Sequence, residues 1–224
     1  MRLKSFGCSF IHGTELSDDG PAGSRLTWPA LLAQHLERSY QCHARGGSGN
    51  LQILERVLDQ SIVSDRLDLF VIGWTWIDRF DYYHSSATPT DIGKSKWSTL
   101  TPTTSTPITK TYYRDLHSEY RDKLTCLSYI KLAIDTLTQR RIPFLMTYMD
   151  ELLFDQQWNT TPAVSYLQSC VAPHMTTFDG KTFLAWSRDH GYPETALWHP
   201  LEAAHRAAGD LMCQVFDKQN TTDC

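Results

Sequence analysis

Two residues at opposite ends of the sequence have the types needed for nucleophilic catalysis. Ser9 lies in residues 7–13, Gly-Cys-Ser-Phe-Ile-His-Gly, directly after a short apolar run that predicts a strand. His199 lies near the far end of the chain. A serine on such a turn needs a base to take its proton, and the base can come from anywhere in the chain. The pair predicts a serine nucleophile with a histidine base; the alternative is a plain strand-to-helix turn in which Ser9 caps the helix.

A glycine-rich loop follows the second predicted strand. Residues 44–50 read Ala-Arg-Gly-Gly-Ser-Gly-Asn. They lack the Lys-Ser/Thr ending of a phosphate-binding P-loop and the spacing of a dinucleotide fingerprint. The backbone amides of the loop could instead face a developing negative charge. A flexible turn in which Asn50 caps the next helix is the other interpretation, and the residues alone leave both open.

The third predicted strand ends in an aromatic loop that also carries an arginine. Residues 73–80 read Gly-Trp-Thr-Trp-Ile-Asp-Arg-Phe. Trp74 and Trp76 are candidates for substrate contact, although a core position is a fair alternative for one of them. Arg79 could clamp an anionic group or pair with a neighbouring aspartate.

A second histidine, His205, follows His199 on the last predicted helix. The two are six positions apart, whereas side chains on one helical face lie three or four apart, so we expect no metal site at this pair. Pro200 suits the first position of that helix and would leave His199 at the end of the loop. We interpret His205 as structural, and the sequence predicts neither a metal nor a cofactor.

Apolar runs and helical patterns alternate along the chain. Runs at 2–6, 40–43, 67–74 and 142–148 predict buried strands, and patterns at 27–38, 51–64, 114–139 and 200–218 predict helices. This alternation predicts an α/β fold, a three-layer α/β/α sandwich with a mostly parallel sheet. Sites in such folds form beyond the carboxyl ends of the strands, where the candidate loops fall.

One segment interrupts the alternation. Residues 84–113 are rich in Ser, Thr and Pro and are longer than ordinary connections. They predict either a lid over the site or a disordered insertion. The whole chain, 1–224, is expected to form a single domain around this insertion.

The composition narrows the class of partner. Of 224 residues, 41% are hydrophobic and 21% charged, and the formal charge is −4, so we expect neither nucleic acid nor a membrane as partner. The six cysteines are widely spaced, which is typical of reduced thiols. With no apparent signal peptide or membrane-spanning run, a cytoplasmic location is expected.

Four short blocks, taken in order, resemble the SGNH/GDSL hydrolase superfamily over residues 7–205. The Gly-Asp-Ser block of the family appears here as Gly7-Cys8-Ser9, similar to a variant subgroup seen in bacteria and phages. The resemblance implies that Ser9 is the nucleophile and that its amide contributes to an oxyanion hole. The loop at 44–50 resembles the second block, which implies Gly47, or alternatively Gly46, as a second oxyanion donor.

The chain departs from the family pattern at two places. Thr75 stands where the third block carries an asparagine that donates to the oxyanion, so Thr75 is the candidate replacement. The last block is usually Asp-x-x-His, but Ala196 precedes His199 at the aspartate position. The acid fixes the tautomer of the histidine. Glu194 is a candidate replacement, and a backbone carbonyl is another.

Three functions follow from these residues. The leading one is an esterase or acylhydrolase, in which Ser9 attacks a small-molecule or glycan ester and His199 is the base. The second is transfer of the acyl group to a hydroxyl acceptor, which a water-excluding lid would favour. The third is a binding protein for carbohydrate or nucleotide on a hydrolase-like fold. Candidate substrate contacts are Trp74, Trp76, Arg79, Asn50 and His12, with Tyr82 and Tyr83 added in the third case.

Overall fold

Four parallel strands form the central sheet. In the computed structural model, which describes residues 1–84 and 96–222, they are β1 (Arg2–Phe6), β2 (Ser39–Cys42), β3 (Leu69–Trp74) and β6 (Phe144–Tyr148). Their order across the sheet is β2-β1-β3-β6, and every neighbouring pair is parallel. Strands β4 (Phe80–Tyr83) and β5 (Trp97–Leu100) form a separate antiparallel pair.

Helices cover both faces of the sheet. Helices α2 and α8 pack together on one face, and α3, α5 and α6 pack on the other. The helices are α1 (Ser9–His12), α2 (Trp28–His35), α3 (Asn50–Val63), α4 (Pro107–Asp115), α5 (Glu119–Arg140), α6 (Pro162–Val171), α7 (Phe183–Asp189) and α8 (Glu202–Thr222).

The alternation of side chains along the strands builds a core on each face. Leu3 and Val71 point into the cluster under α2 and α8, whereas Phe6, Phe70 and Ile72 point into the cluster under α3 and α5. Every residue of β3 is buried, as expected for a central parallel strand with both faces covered. The predicted three-layer α/β/α sandwich with a mostly parallel sheet is therefore confirmed.

Two predicted helices differ from those in the structure. The pattern at 114–139 is not one helix, because α4 ends at Asp115 and the Ser118 side chain accepts from the Arg121 N–H to begin α5. Pro200 is not the first residue of the last helix. It forms a β-bridge with Glu194, and α8 begins at Glu202. Helices α6 and α7 and the β4–β5 pair were not predicted.

The described part of the Ser/Thr/Pro-rich segment forms regular structure. Residues 85–95 of the predicted insertion lie outside the described residues. The remainder contains β5 and most of α4. The Tyr113 hydroxyl, at the end of this segment, lies 2.6 Å from the carbonyl oxygen of Asp78 and 3.1 Å from that of Leu100, and its one hydrogen is shared between them. The segment is thus joined to the loop that follows β3.

Asp81 on β4 holds this hairpin against the start of α3. Its buried carboxylate accepts from the Gly49 and Gln52 amides, both at 3.0 Å, from Gln52 Nε2 at 2.9 Å and from Thr99 Oγ1 at 2.6 Å. The carboxylate therefore satisfies unpaired amides at the N-terminus of α3, where negative charge is favoured. It also fixes the end of the glycine-rich loop.

Replacing Asp81 with asparagine is expected to lower the free energy of unfolding by about 2 to 3 kcal/mol. The new amide nitrogen would face groups that all donate hydrogen bonds. Urea denaturation would measure the loss. Asp135→Asn is the control, because Asp135 is exposed and pairs with Lys131 on the surface of α5, and its effect should stay within about 0.5 kcal/mol. Equal stability of wild type and D81N would contradict this role.

In the described part of the chain, no helix combines the length and the apolar character needed to cross a membrane.

Candidate active site

Ser9 lies at the carboxyl end of β1, as the first residue of α1. The side chain of Ile11 on α1 packs between the backbones of Gly7 and Gly73. A Cβ atom at Gly7 would lie 2.5 Å from Ile11 Cγ1, and one at Gly73 would lie 2.6 Å from the same atom. The two glycines therefore permit the close approach of α1 to the ends of β1 and β3, which sets the position of Ser9.

Ser9 and His199 line one pocket of about 340 Å³ at this edge of the sheet. Its walls come from α1, the loop after β3, the turn after β5 and the loop before α8. The lining residues are Ser9, Phe10, Trp76, Asp78, Arg79, Thr101, Pro102, Thr103, Ala196, Leu197, Trp198 and His199. The described end of the 84–113 segment thus contributes one wall.

A carboxylate that the sequence did not suggest holds His199. Nδ1 of His199 lies 2.5 Å from Oε2 of Glu15, in the loop that follows α1. Glu15 has a positive φ of 70°, a conformation that is unusual for a residue other than glycine. Hydrogen bonds from Thr195 and His199 hold the pKa of Glu15 below its ordinary value, so the carboxylate is ionised beside the ring.

Thr195 organises the loop that carries His199. Its hydroxyl donates to Glu15 Oε2 at 2.7 Å and accepts from the His199 N–H at 3.2 Å. The Thr195 N–H donates to the His199 carbonyl at 3.0 Å and closes the turn. One side chain therefore fixes both the carboxylate and the backbone of the histidine.

Glu194, the predicted acid, is turned away from His199. Its carboxylate accepts from Arg188 Nε at 2.9 Å and Nη2 at 3.1 Å. This bidentate pairing uses both oxygens. The carboxylate at His199 Nδ1 is thus that of Glu15, and neither Glu194 nor a backbone carbonyl holds that atom in the structure.

The predicted oxyanion donors differ in what they can offer. The N–H groups of Ser9 and Gly47 have no acceptor among the described residues, and Gly47 adopts a φ of +76°. The Thr75 N–H donates to Asn50 Oδ1 at 2.8 Å, so it is occupied. The Thr75 hydroxyl is buried without a partner among the described residues.

The five predicted substrate contacts divide into two groups. Trp76 and Arg79 line the pocket. Trp74 is fully buried in the core under α3 and α5. The buried Asn50 amide donates to the Thr75 carbonyl at 3.1 Å, so it supports the loop after β3. His12 Nδ1 lies 3.5 Å from Asp19, and His12 does not line the pocket.

His205 is a structural residue. Its buried Nδ1 accepts from the Trp28 N–H at 3.2 Å, at the start of α2, and burial lowers the pKa of its ring to about 3. The ring is therefore neutral and satisfies an unpaired helix amide. Over residues 1–84 and 96–222, no group of three or more His, Cys, Asp or Glu side chains could hold a metal ion.

Glu15 and Thr195 are the residues that sequence reasoning missed. A carboxylate six positions after the candidate nucleophile, in a loop that begins with a glycine, is a weak signal. Thr195 directly follows the predicted acid, Glu194. A threonine four residues before a candidate catalytic histidine matches no distinctive sequence motif. The family block instead predicts the acid at a position shortly before His199.

Structural comparison shows that this fold is similar to the folds of lipolytic G-D-S-L family proteins and esterases. A psychrotrophic esterase from Pseudoalteromonas, inhibited by monoethylphosphonate, superimposes with a TM-score of 0.56 and 10% identity, over 98% of each chain. A member of the lipolytic G-D-S-L family from Veillonella parvula gives 0.54 and 11%, over 97% of this chain and 98% of the other.

A third similar structure belongs to a carbohydrate esterase. The family 2 enzyme of Corynascus, solved with its carbohydrate binding domain, gives a TM-score of 0.50 and 15% identity, over 96% of this chain and 64% of the other. No family model and no curated protein matches the sequence. At these identities the likeness establishes the fold, and membership of the superfamily and of its variant subgroup stays a prediction.

Proposed function

We propose that the protein is a serine esterase or acylhydrolase that forms an acyl intermediate on Ser9. The observation that carries the proposal is the pocket in which Ser9 lies with His199, whose Nδ1 is held by Glu15 at 2.5 Å. Because Nδ1 is engaged by a carboxylate, Nε2 is the ring nitrogen left to take a proton. A histidine held by a carboxylate in this way is a base of the kind that activates a serine hydroxyl.

The reaction proceeds in two steps. Ser9 Oγ attacks the carbonyl carbon of the ester while its proton moves to His199 Nε2, and the protonated ring then gives that proton to the leaving alcohol. Water attacks the acyl-Ser9 ester with the same base and releases the acid. Glu15 stabilises the imidazolium that forms in both steps and keeps the neutral ring in the tautomer with hydrogen on Nδ1.

Two backbone amides are the proposed oxyanion donors. The N–H groups of Ser9, at the start of α1, and of Gly47, in the loop after β2, are unpaired within the described residues and follow the carboxyl ends of neighbouring strands. Each good donor is worth roughly 3 kcal/mol in the barrier. The buried hydroxyl of Thr75 is a further candidate, in the place where the family pattern has an asparagine side chain. These assignments complete a site that needs neither metal nor cofactor.

Covalent labelling tests the proposed function. A fluorophosphonate probe is expected to label the wild-type protein at Ser9, as mass spectrometry of the modified peptide would identify, and Ser9→Ala should abolish the label. The same protein preparation should hydrolyse short-chain acetate esters before it reacts with the probe and should not hydrolyse them afterwards. A protein that neither labels nor hydrolyses any of these esters would overturn the proposal and favour the non-catalytic binding interpretation.

A further inference from the structure

Two tryptophans line the pocket together with His199, and an arginine lies over one ring face of each. Trp198 directly precedes His199 and is 53% exposed, with the Arg188 guanidinium carbon 5.9 Å from the ring centroid. The guanidinium carbon of Arg79 lies 4.9 Å from the ring centroid of Trp76. Cation–π contact of this kind steadies an aromatic ring from one side. The exposed part of the Trp198 ring is left for another molecule, and Trp76 presents part of its surface to the same pocket.

The arginines are themselves held in place. Arg188 forms the bidentate pair with Glu194, at 2.9 and 3.1 Å, and Arg79 Nη1 donates to the Ser48 carbonyl at 3.0 Å. Neither ring is therefore supported by a freely moving side chain. Glu194 therefore holds Arg188 in place, and Arg188 in turn contacts the ring of Trp198.

Trp76 is joined to the reaction centre by one intervening ring. Phe10, the residue after the nucleophile, makes an edge contact with Trp76 at 5.4 Å between centroids and another with His199 at 5.2 Å. A ligand on Trp76 would thus lie next to the His199 side of the pocket. All three rings line the same cavity as Ser9.

The backbone at Trp198 holds its exposed ring in an uncommon conformation. Its φ is +66°, in the left-handed region that bulky residues avoid. The Trp198 N–H donates to the Thr195 carbonyl at 3.0 Å, so the turn that fixes His199 also imposes this conformation. Strain of this kind concentrates at ligand sites.

A hydrogen-bond acceptor, the Asp78 carboxylate, and a hydrogen-bond donor, the Arg79 guanidinium, line the same side of the pocket. Asp78 lines the pocket, and its carboxylate has no hydrogen-bond partner among the described residues. Arg79 beside it uses one nitrogen on Ser48, and its other nitrogens lack partners in that part of the chain. A hydroxyl both donates and accepts, so adjacent acceptors and donors suit it.

From these observations, and resting on the proposed hydrolase function, we propose that the pocket takes an ester carried by a hydroxylated saturated ring of monosaccharide size. The C–H face of the ring packs on Trp198 and Trp76, whose faces are electron-rich. Its hydroxyls bind Asp78 and Arg79. A volume of about 340 Å³ accommodates one such ring, at the small end of ligand pockets.

Paired acetates test the inference. Methyl 6-O-acetyl-glucopyranoside and hexyl acetate both release a primary alcohol, so they differ in the ring and its hydroxyls. We expect the wild type to show a kcat/KM for the glucoside at least tenfold higher than for hexyl acetate. Trp198→Ala and Trp76→Ala should each lower the glucoside value by about tenfold or more, with a much smaller loss for hexyl acetate. Tyr166→Ala removes an exposed aromatic ring on α6 and is the matched control.

The possible outcomes distinguish the proposed binding of the hydroxylated ring from the proposed hydrolysis by Ser9. Equal or lower activity on the glucoside, or equal losses on both esters in the tryptophan variants, would overturn the inference. Higher activity on benzyl acetate would overturn its hydroxylated-ring part. Calorimetric titration of Ser9→Ala with the acetylated glucoside reads binding without turnover, and Trp198→Ala in that background should weaken it. Tryptophan-dependent binding without labelling of Ser9 would uphold the subsite while the proposed function failed.

Discussion

Replacing His199 with alanine is expected to lower kcat/KM for ester hydrolysis by about 10⁴-fold or more. The hydroxyl of Ser9 would lose its proton acceptor, and the pocket offers no second histidine among its lining residues. Labelling of Ser9 by a fluorophosphonate should slow in parallel, because the same nucleophile attacks the probe. Initial rates on a short acetate ester and the time course of labelling measure the two effects.

The matched control is a histidine outside the pocket. His35 on α2 is partly exposed and lies 3.2 Å from Asp217, so His35→Ala removes the same ring without touching the site. Thermal unfolding should show that both variants keep the wild-type fold. A folded His199→Ala protein that hydrolyses esters at more than a tenth of the wild-type rate would contradict the role of the ring as base.

Glu15→Gln is expected to lower kcat by about 10² to 10⁴-fold, the range in which loss of the acid in a serine triad falls. The amide cannot balance the charge of the imidazolium, and it can turn its NH₂ group toward Nδ1, which favours the wrong tautomer. Partial exposure of the Glu15 side chain, 35%, favours the lower half of that range, because water screens the charge. Steady-state kinetics on a short acetate ester measures it.

Two further variants decide between the candidate acids. Glu15→Asp keeps the charge on a shorter side chain and should recover part of the activity. Glu194→Gln should cost far less in kcat than Glu15→Gln, because its carboxylate contacts Arg188 rather than His199. A larger loss of kcat in E194Q than in E15Q would return the role of the acid to Glu194.

The sheet could be predicted from the sequence because its signal is local. Buried parallel strands appear as short apolar runs between helical patterns, and β1 (Arg2–Phe6) has the predicted bounds. The β4–β5 hairpin could not be found this way. Its strands have only four residues each and no continuous apolar run. They are held by the buried carboxylate of Asp81, and in the sequence an aspartate at this position looks like an ordinary surface charge. Helices α6 and α7 are short and similarly lack a long apolar repeat.

The candidate site was only partly readable for a different reason. Ser9 and His199 stand out by type and by their place in short blocks. Glu15 lies in a polar loop whose conformation depends on the left-handed backbone at Gly13 and at Glu15 itself. Its partner is 184 residues away, and no pattern in a single sequence encodes such a pairing. The departure at Ala196 showed that an acid was missing but not where another could come from.

The contact between Glu15 and His199 also has a consequence for how the chain acquires activity. It joins two residues that are 184 positions apart. Bringing them together costs conformational entropy, which other contacts of the fold must offset. Thr195 orients both partners only when the loop before α8 lies against the loop after α1. A folding intermediate with an intact sheet but an undocked C-terminal region would therefore hold Ser9 in place without its base. On the proposed mechanism, a chain folded only to that point would carry no activated serine.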